Sequence, residues 1–228
     1  MVSLFNLLFP QTCFICGELS DDLLCDRCRG EVRIIFPGPE YIGECRDCDR
    51  VYSVFEYGEL LKMLLTRIKF QRDIVAAYNL GRLVGREIRG KIDFSLYHYL
   101  VPVPSSRGRL RKRLFHQTFE MIRGVRREVV LPSILRIAKV RDVRSQVGLG
   151  LEERRENVRG AFDLPEKFPD LEGKRVLIFD DLFTTGSTVG EVASLLKKKG
   201  RVEKVDVLTC CRGAFSQEGE DSSCNKCV

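Results

Sequence analysis

Residues 176–188, VLIFDDLFTTGST, set two carboxylates just ahead of a small, hydroxyl-rich turn. An ionised carboxylate only accepts hydrogen bonds, so Asp180 and Asp181 suit sugar hydroxyls or a hydrated Mg2+. Thr184, Thr185, Ser187 and Thr188 add hydroxyl donors, and Gly186 admits a backbone angle that a side chain opposes. Free amides at the start of a helix favour a phosphate. The stretch is therefore suited to a sugar 5-phosphate, with hydroxyls on the acids and the phosphate in the turn.

Two elements must hold these groups. Residues 176–179 are predicted to form a short buried strand. Val189, Val192, Ala193, Leu195 and Leu196 fall at helical spacing behind the turn. In parallel α/β folds ligands bind beyond the carboxyl ends of the strands, which is where this order sets the acids and the turn. An ordinary strand–turn–helix with an acidic surface loop is the plain alternative. A receiver domain also ends a strand with paired acids, but it does not explain Thr-Thr-Gly-Ser-Thr. A P-loop nucleotidase needs Gly-Lys-Ser/Thr after a glycine-rich loop, and none is present.

Cysteine supplies the second chemistry. Eight of the ten cysteines fall in four Cys-x-x-Cys pairs. Cys13, Cys16, Cys25 and Cys28 form two such pairs in close succession, and two knuckles of this kind close a tetrahedral Zn2+ site. Four thiolates leave no position for water, so the role is structural, and the metal supplies folding energy to a segment too small for its own core. Reduced, unliganded thiols are the alternative. Cys45 and Cys48 either exchange with one of those pairs or form half of a second site with Cys224 and Cys227. Cys210 and Cys211 close an apolar strand pattern and read as core residues.

The rest of the chain frames these sites. Its 228 residues leave room for one domain of moderate size and a small module, and 44% hydrophobic residues suffice for a core. A net charge of +6 and a pI of about 8.8 favour anionic ligands, pyrophosphate and nucleic acid alike. The opening MVSLFNLLFP is too short to span a membrane and lacks a basic leader, so a cytoplasmic protein without membrane insertion is expected. Strands are expected at 51–55, 96–103 and 134–140, and helices over 60–68, 74–89 and 116–127. Gly81 and Gly85 argue against an unbroken second helix. His98 reads as packed within a strand, and His116 is the other histidine. Residues 101–160 hold fifteen Lys and Arg against six Asp and Glu, a net of +9, densest in RGRLRKR at 107–113. Singly these are solvated charges; together they suggest a lid and a polyanion track.

Residues 176–188 resemble the phosphoribosyl pyrophosphate (PRPP) motif of type I phosphoribosyltransferases. With CFICGEL and LCDRC, YGELLKMLLTRIKF, VPVPSSRGRLRKRLFHQ and SQVGLGLEERRENVRGAF, the order of features resembles the ComF (ComFC-type competence protein) family, from Cys13 to about Cys211. That resemblance implies an α/β fold, a twisted parallel sheet with helices on both faces, behind an N-terminal zinc ribbon. Its implied divisions are a cysteine-rich module at 1–50, a phosphoribosyltransferase-like domain at 51–212 and a tail at 213–228. It implies that Asp180 and Asp181 hold the ribose hydroxyls, that residues 184–188 hold the 5-phosphate, and that Ser105 and Arg107 hold pyrophosphate with Mg2+. It also implies that 141–157 is a flexible stretch that closes over them. It further implies a role with incoming DNA in natural transformation, either as a transferase or as a non-catalytic binder of single-stranded DNA. The chain departs from the family at Leu114 and His116, where Gly and Asn are usual, and has three N-terminal cysteine pairs where four are common.

Metal analysis of the purified protein is expected to give at least one zinc per chain. Cys25→Ser should lower that content, and a normal content after replacing Cys13, Cys16, Cys25 and Cys28 together by serine would rule the site out.

Overall fold

The computed structural model describes residues 11–36, 45–104, 116–141, 143 and 151–213. Five strands form one parallel sheet: β1 (Arg50–Glu56), β2 (Tyr99–Pro102), β3 (Ser133–Ile134), β6 (Arg175–Phe183) and β7 (Lys204–Arg212), in the order β1-β7-β6-β2-β3. Two short strands, β4 (Ala138–Lys139) and β5 (Phe162–Asp163), pair antiparallel beside it. The central strands β6 and β7 are apolar on both faces because helices cover both.

One face is packed by α2 (Glu59–Gln71), α3 (Ile74–Ile88) and α4 (Gln117–Glu128). Leu61, Leu64, Leu65 and Ile68 give α2 its buried stripe. The other face is packed by α6 (Ser187–Lys198) through Val189, Val192, Ala193 and Leu196. The expected sheet with helices on both faces is therefore what forms. No helix among the described residues is long and apolar enough to cross a membrane.

The cysteine module joins the first of these layers. Cys13, Ile15, Leu24 and Cys28 lie in the same core as Leu61, Leu80 and Met121. The short helix α1 (Asp26–Glu31) carries Cys28. Residues 33–36 then run antiparallel along the outer edge of β1, with Ile35 N donating to Val54 O at 2.9 Å. Arg67 on α2 donates to the carbonyls of Phe14 and Ile15, the latter at 2.7 Å, and Arg86 on α3 pairs with Asp22. The module is thus held by side chains of the helices as well as by its own thiols.

Several elements differ from the sequence expectation, each for a packing reason. The strand expected at 176–179 continues to Phe183, so both acids lie within β6, and Asp180 pairs in register with Thr209. The strand expected at 134–140 divides into β3, in the main sheet, and β4, which turns away to pair with β5. Before β2, residues Phe94–Leu96 form a single 3-10 turn capped by Asp93. Leu151–Val158 is helical (α5), within a stretch expected to be flexible.

The helix over Ile74–Ile88 is unbroken despite Gly81 and Gly85. Both glycines lie on the face that meets α4. A Cβ on Gly81 would stand 1.9 Å from the Met121 carbonyl oxygen, and one on Gly124 of α4 would stand 2.0 Å from that of Tyr78. Small residues let the two backbones approach closely, and side-chain loss is offset by contact along both helices. Gly124→Ala is expected to lower unfolding stability by roughly 1–3 kcal/mol through overpacking. Chemical denaturation checks this, with Gly58→Ala as the control, since a Cβ there meets nothing within 4 Å.

Candidate functional site

The carboxyl end of β6 brings three elements to one place. Asp180 and Asp181 come from the strand, Lys69 from the last turn of α2, and Gln117 from the first residue of α4. Lys69 Nζ stands 2.7 Å from Asp181 Oδ2, and Gln117 Nε2 donates to the same oxygen at 2.7 Å. Asp181 is buried, with only 7% of its surface exposed. Asp180 is half-buried, and its Oδ1 accepts the Asp181 backbone N–H at 2.9 Å.

The two carboxyls therefore have unlike surroundings. Burial first, and then the charge of Asp181, push the Asp180 carboxyl well above the ordinary carboxylate range. Burial opposes ionisation of Asp181 too, but the Lys69 ammonium prevails and holds it below that range. Lys69 is held charged by the same pair against its own desolvation. The two acids therefore titrate as a pair, with Asp181 favouring the ionised form and Asp180 the neutral one.

Beyond the acids, Gly186 takes φ 69° and ψ −2° as the residue capping α6. That is the left-handed region, which a glycine enters without steric cost. Thr185 Oγ1 and Ser187 Oγ lie 2.8 Å apart, and Gly190 N returns to Gly186 O at 2.7 Å. Thr184 is exposed, and Thr185, Ser187 and Thr188 are half-buried. Hydroxyls and amides thus gather in a turn directly behind the acid pair. Ser105 and Arg107 lie outside the described residues, as does the basic run 107–113.

The four sulfurs of Cys13, Cys16, Cys25 and Cys28 all lie within 4.8 Å of one another, and those of Cys16 and Cys25 are 3.6 Å apart. Zn–S bonds of about 2.3 Å in a tetrahedron require sulfur separations of roughly 3.8 Å, so these residues fit a Zn2+ ion. Burial opposes ionisation of Cys13, yet backbone hydrogen bonds from Cys16, Cys25 and Ile15 bring its thiol down to about 6. Burial and the neighbouring thiols push Cys28 up, so the set cannot ionise together without a cation. Cys45 and Cys48 are not part of this cluster. They are paired as a disulfide in the opposite core layer, near Val51 and Val189. Cys224 and Cys227 lie outside the described residues. Cys210 and Cys211 are fully buried in the core, as their place in a strand pattern suggested.

Both histidines are accounted for. His98 is exposed just before β2 rather than packed, and its Nδ1 accepts the Arg175 N–H at 3.2 Å. His116 precedes α4, and burial together with Arg136 holds its pKa below the usual value. Sequence reasoning singled out neither Lys69 nor Gln117 as a site residue. The signal for Lys69 was a cation directly after Ile68, on the edge of the buried stripe of α2.

Residues 120–228 match the phosphoribosyl transferase domain family. Together with the five-stranded parallel sheet and the four-cysteine cluster, this defines a phosphoribosyltransferase-type domain joined to a thiol-rich module. The chain is 29% identical over 229 residues to Competence protein F of Haemophilus influenzae, covering 91% of this chain and 97% of that protein. It is 32% identical over 167 residues to DNA utilization protein YhgH of Salmonella typhimurium, covering 72% of each. It therefore belongs to the ComF (ComFC-type competence protein) family. Among solved structures, a hypoxanthine phosphoribosyltransferase from Staphylococcus aureus aligns with a TM-score of 0.36 at 16% identity, over 63% of this chain and 71% of that one.

Lys69→Met tests the ion pair. It leaves the Asp181 carboxylate buried without its cation, at a cost of about 3–5 kcal/mol near neutral pH. The native Asp181 has a depressed pKa, so its stabilisation is present above the unfolded value of about 3.9 and is lost as pH falls through the folded value. In the variant that acid can protonate at higher pH, which relieves the buried charge. The stability gap between the two proteins should narrow as the pH is lowered from 7 towards 4, and urea denaturation across that range reads it.

Proposed function

We propose that this protein binds PRPP with Mg2+ beyond the end of β6 and serves the handling of incoming DNA in natural transformation. The observation that carries the first half is the succession from acid pair to helix. Two carboxyls lie near the end of β6, and beyond Phe183 the left-handed Gly186 turns the chain straight into α6. The 5-phosphate would take the amides and hydroxyls of residues 184–188. The ribose hydroxyls would face the acid pair, Asp180 foremost, because Asp181 Oδ2 already receives both Lys69 and Gln117. Ser105 and Arg107 would hold the pyrophosphate, and residues 141–157 would close over it.

The donor set fits Mg2+. A carboxyl that burial and a like charge push towards the neutral form regains its charge beside a divalent cation. Mg2+ would offset negative charge on the pyrophosphate. If an acceptor displaces pyrophosphate at ribose C1, positive charge grows on the ring, and the Asp181 carboxylate would stabilise it electrostatically.

Support for the DNA role comes from the relatives, named for competence and for DNA utilization, and from the +9 balance of residues 101–160. Single-stranded DNA is the second ligand proposed, held largely through phosphate contacts along 107–113.

Titration calorimetry with PRPP and Mg2+ tests the site. Asp180→Asn should weaken binding, since a hydrogen bond to a charged group contributes about 1.5–3 kcal/mol. Asp180→Asn with Asp181→Asn should weaken it further, although the double change also breaks the buried pair with Lys69. Gly186→Val should weaken it by closing the turn. Wild-type affinity in Asp180→Asn would overturn the ribose assignment, and no binding by the wild type would overturn the PRPP reading. For DNA, fluorescence anisotropy should show affinity that falls steeply with salt and is reduced for every sequence alike by Arg109→Glu with Arg111→Glu. Salt-insensitive binding, or full binding by that variant, would overturn the electrostatic track.

A further inference from the structure

The opposite end of the sheet carries a cleft of about 180 Å³. It lies where β1, β6 and β7 begin, against the segment 91–97 that leads into β2. Arg175 is five residues before Asp180 along β6, or roughly 16 Å at the rise of a strand. Ligands of open α/β sheets bind at the carboxyl ends, so this cleft is separate from the site described above.

Its chemistry is specific. Asp206 lines it and is 7% exposed. Oδ2 accepts the Tyr97 hydroxyl at 2.6 Å, but Oδ1 is out of contact with water and accepts no hydrogen bond. A buried acceptor without a donor is uncommon and costly. Burial pushes this carboxyl above its ordinary pKa. The other acids at this end are engaged. Asp49 accepts from Val205 N and pairs with Lys197 at 2.8 Å, and Asp93 caps Ser95 N at 3.0 Å. Among the described residues that line the cleft, Asp206 has the one buried carboxylate oxygen without a hydrogen-bond partner.

Four cations against three acids line the cleft, an excess of one positive charge. Arg50, Arg175 and Lys204 line the cleft, and among the described residues neither Arg175 nor Lys204 makes an ion pair. Tyr52 and Tyr97 also line the cleft, Tyr97 with its hydroxyl on Asp206 and Tyr52 with its hydroxyl 3.5 Å from an Arg50 guanidinium nitrogen. The fitting ligand has a neutral N–H donor at its inner end, a flat apolar body and an anionic outer end. An ammonium donor is disfavoured because the same cations repel it. A nucleobase joined to a phosphate has all three features, and stacking on tyrosine tolerates any base.

We infer that this cleft binds a nucleoside 5′-phosphate, free or at the end of a single strand, with a base N–H on Asp206 and the phosphate at Arg175 and Lys204. The full zinc-loaded chain is titrated with 2′-deoxyguanosine 5′-monophosphate and, separately, with single-stranded hexamers bearing a 5′-phosphate or a 5′-hydroxyl. Saturable binding is expected. Asp206→Asn, which offers an amide donor where the ligand needs an acceptor, should weaken it by roughly tenfold or more. Lys204→Ala, at an exposed position, should weaken it comparably without touching the core. Asp180→Asn should leave it unchanged, which separates this cleft from the PRPP site. Tighter binding of the phosphorylated hexamer than of both the hydroxyl hexamer and the mononucleotide assigns the strand end; otherwise the free nucleotide is the ligand. No saturable binding of any probe up to about 5 mM, or wild-type affinity in Lys204→Ala with Arg175→Ala, overturns the inference.

Discussion

The Lys69 ammonium and the Asp181 carboxylate meet at 2.7 Å with little water around them, and the candidate site is built on that contact. A carboxylate loses much solvation on burial, and only a close cation with further hydrogen bonds makes up the loss. Lys69 and Gln117 meet both conditions. The contact also fixes α2 against the end of β6. Two residues earlier on the same helix, Arg67 holds the backbone of the cysteine module at Phe14 and Ile15. One helix therefore joins the thiol cluster to the acid pair through polar contacts a few residues apart. This gives the module a bearing on the site although none of its thiols reaches the acids.

The second constraint is the closeness of α3 and α4. Gly81 and Gly124 let the backbones nearly touch, and that approach sets where each end of α4 falls. Its first residue, Gln117, reaches Asp181. At its other end the Glu128 carboxylate meets Arg82 at 3.0 Å, Arg86 at 3.7 Å and Arg89 closer still. Arg86 continues to Asp22 of the cysteine module. A shift of α4 along its axis would disturb the acid pair and this arginine cluster at once.

Charge is divided unequally between the adjacent acids, and the division decides the chemistry of the strand end. Asp181 has a permanent partner and keeps its charge. Asp180 has none of comparable strength and is driven towards the neutral form by burial and by its neighbour. An acid in that condition responds to an arriving cation, whereas Asp181 serves as a fixed negative charge. Two like residues side by side in sequence thus perform unlike work because of what packs beneath each.

Local chemistry was legible from the residues alone. The acid pair, the hydroxyl-rich turn with its glycine and the strand–helix order around them need only near neighbours in the chain, and Gly186 takes the backbone angle its type allows. The paired spacing of Cys13, Cys16, Cys25 and Cys28 likewise identified which thiols gather, because a knuckle is a local structure. What the tertiary structure decided depends on contacts between distant residues. Lys69 and Asp181 are 112 positions apart in the numbering, and no spacing rule joins them. Gly81 reads as a helix breaker until α4 lies against it. His98 reads as packed in a strand, but the strand begins one residue later and leaves the ring exposed. Asp206 looks like one polar residue in an apolar strand, and only the approach of Tyr97, 109 residues away, makes it the floor of a cleft. Residue type and spacing determine the turns and knuckles because those close over a few bonds; partner, burial and charge state follow from packing between segments the sequence does not place side by side.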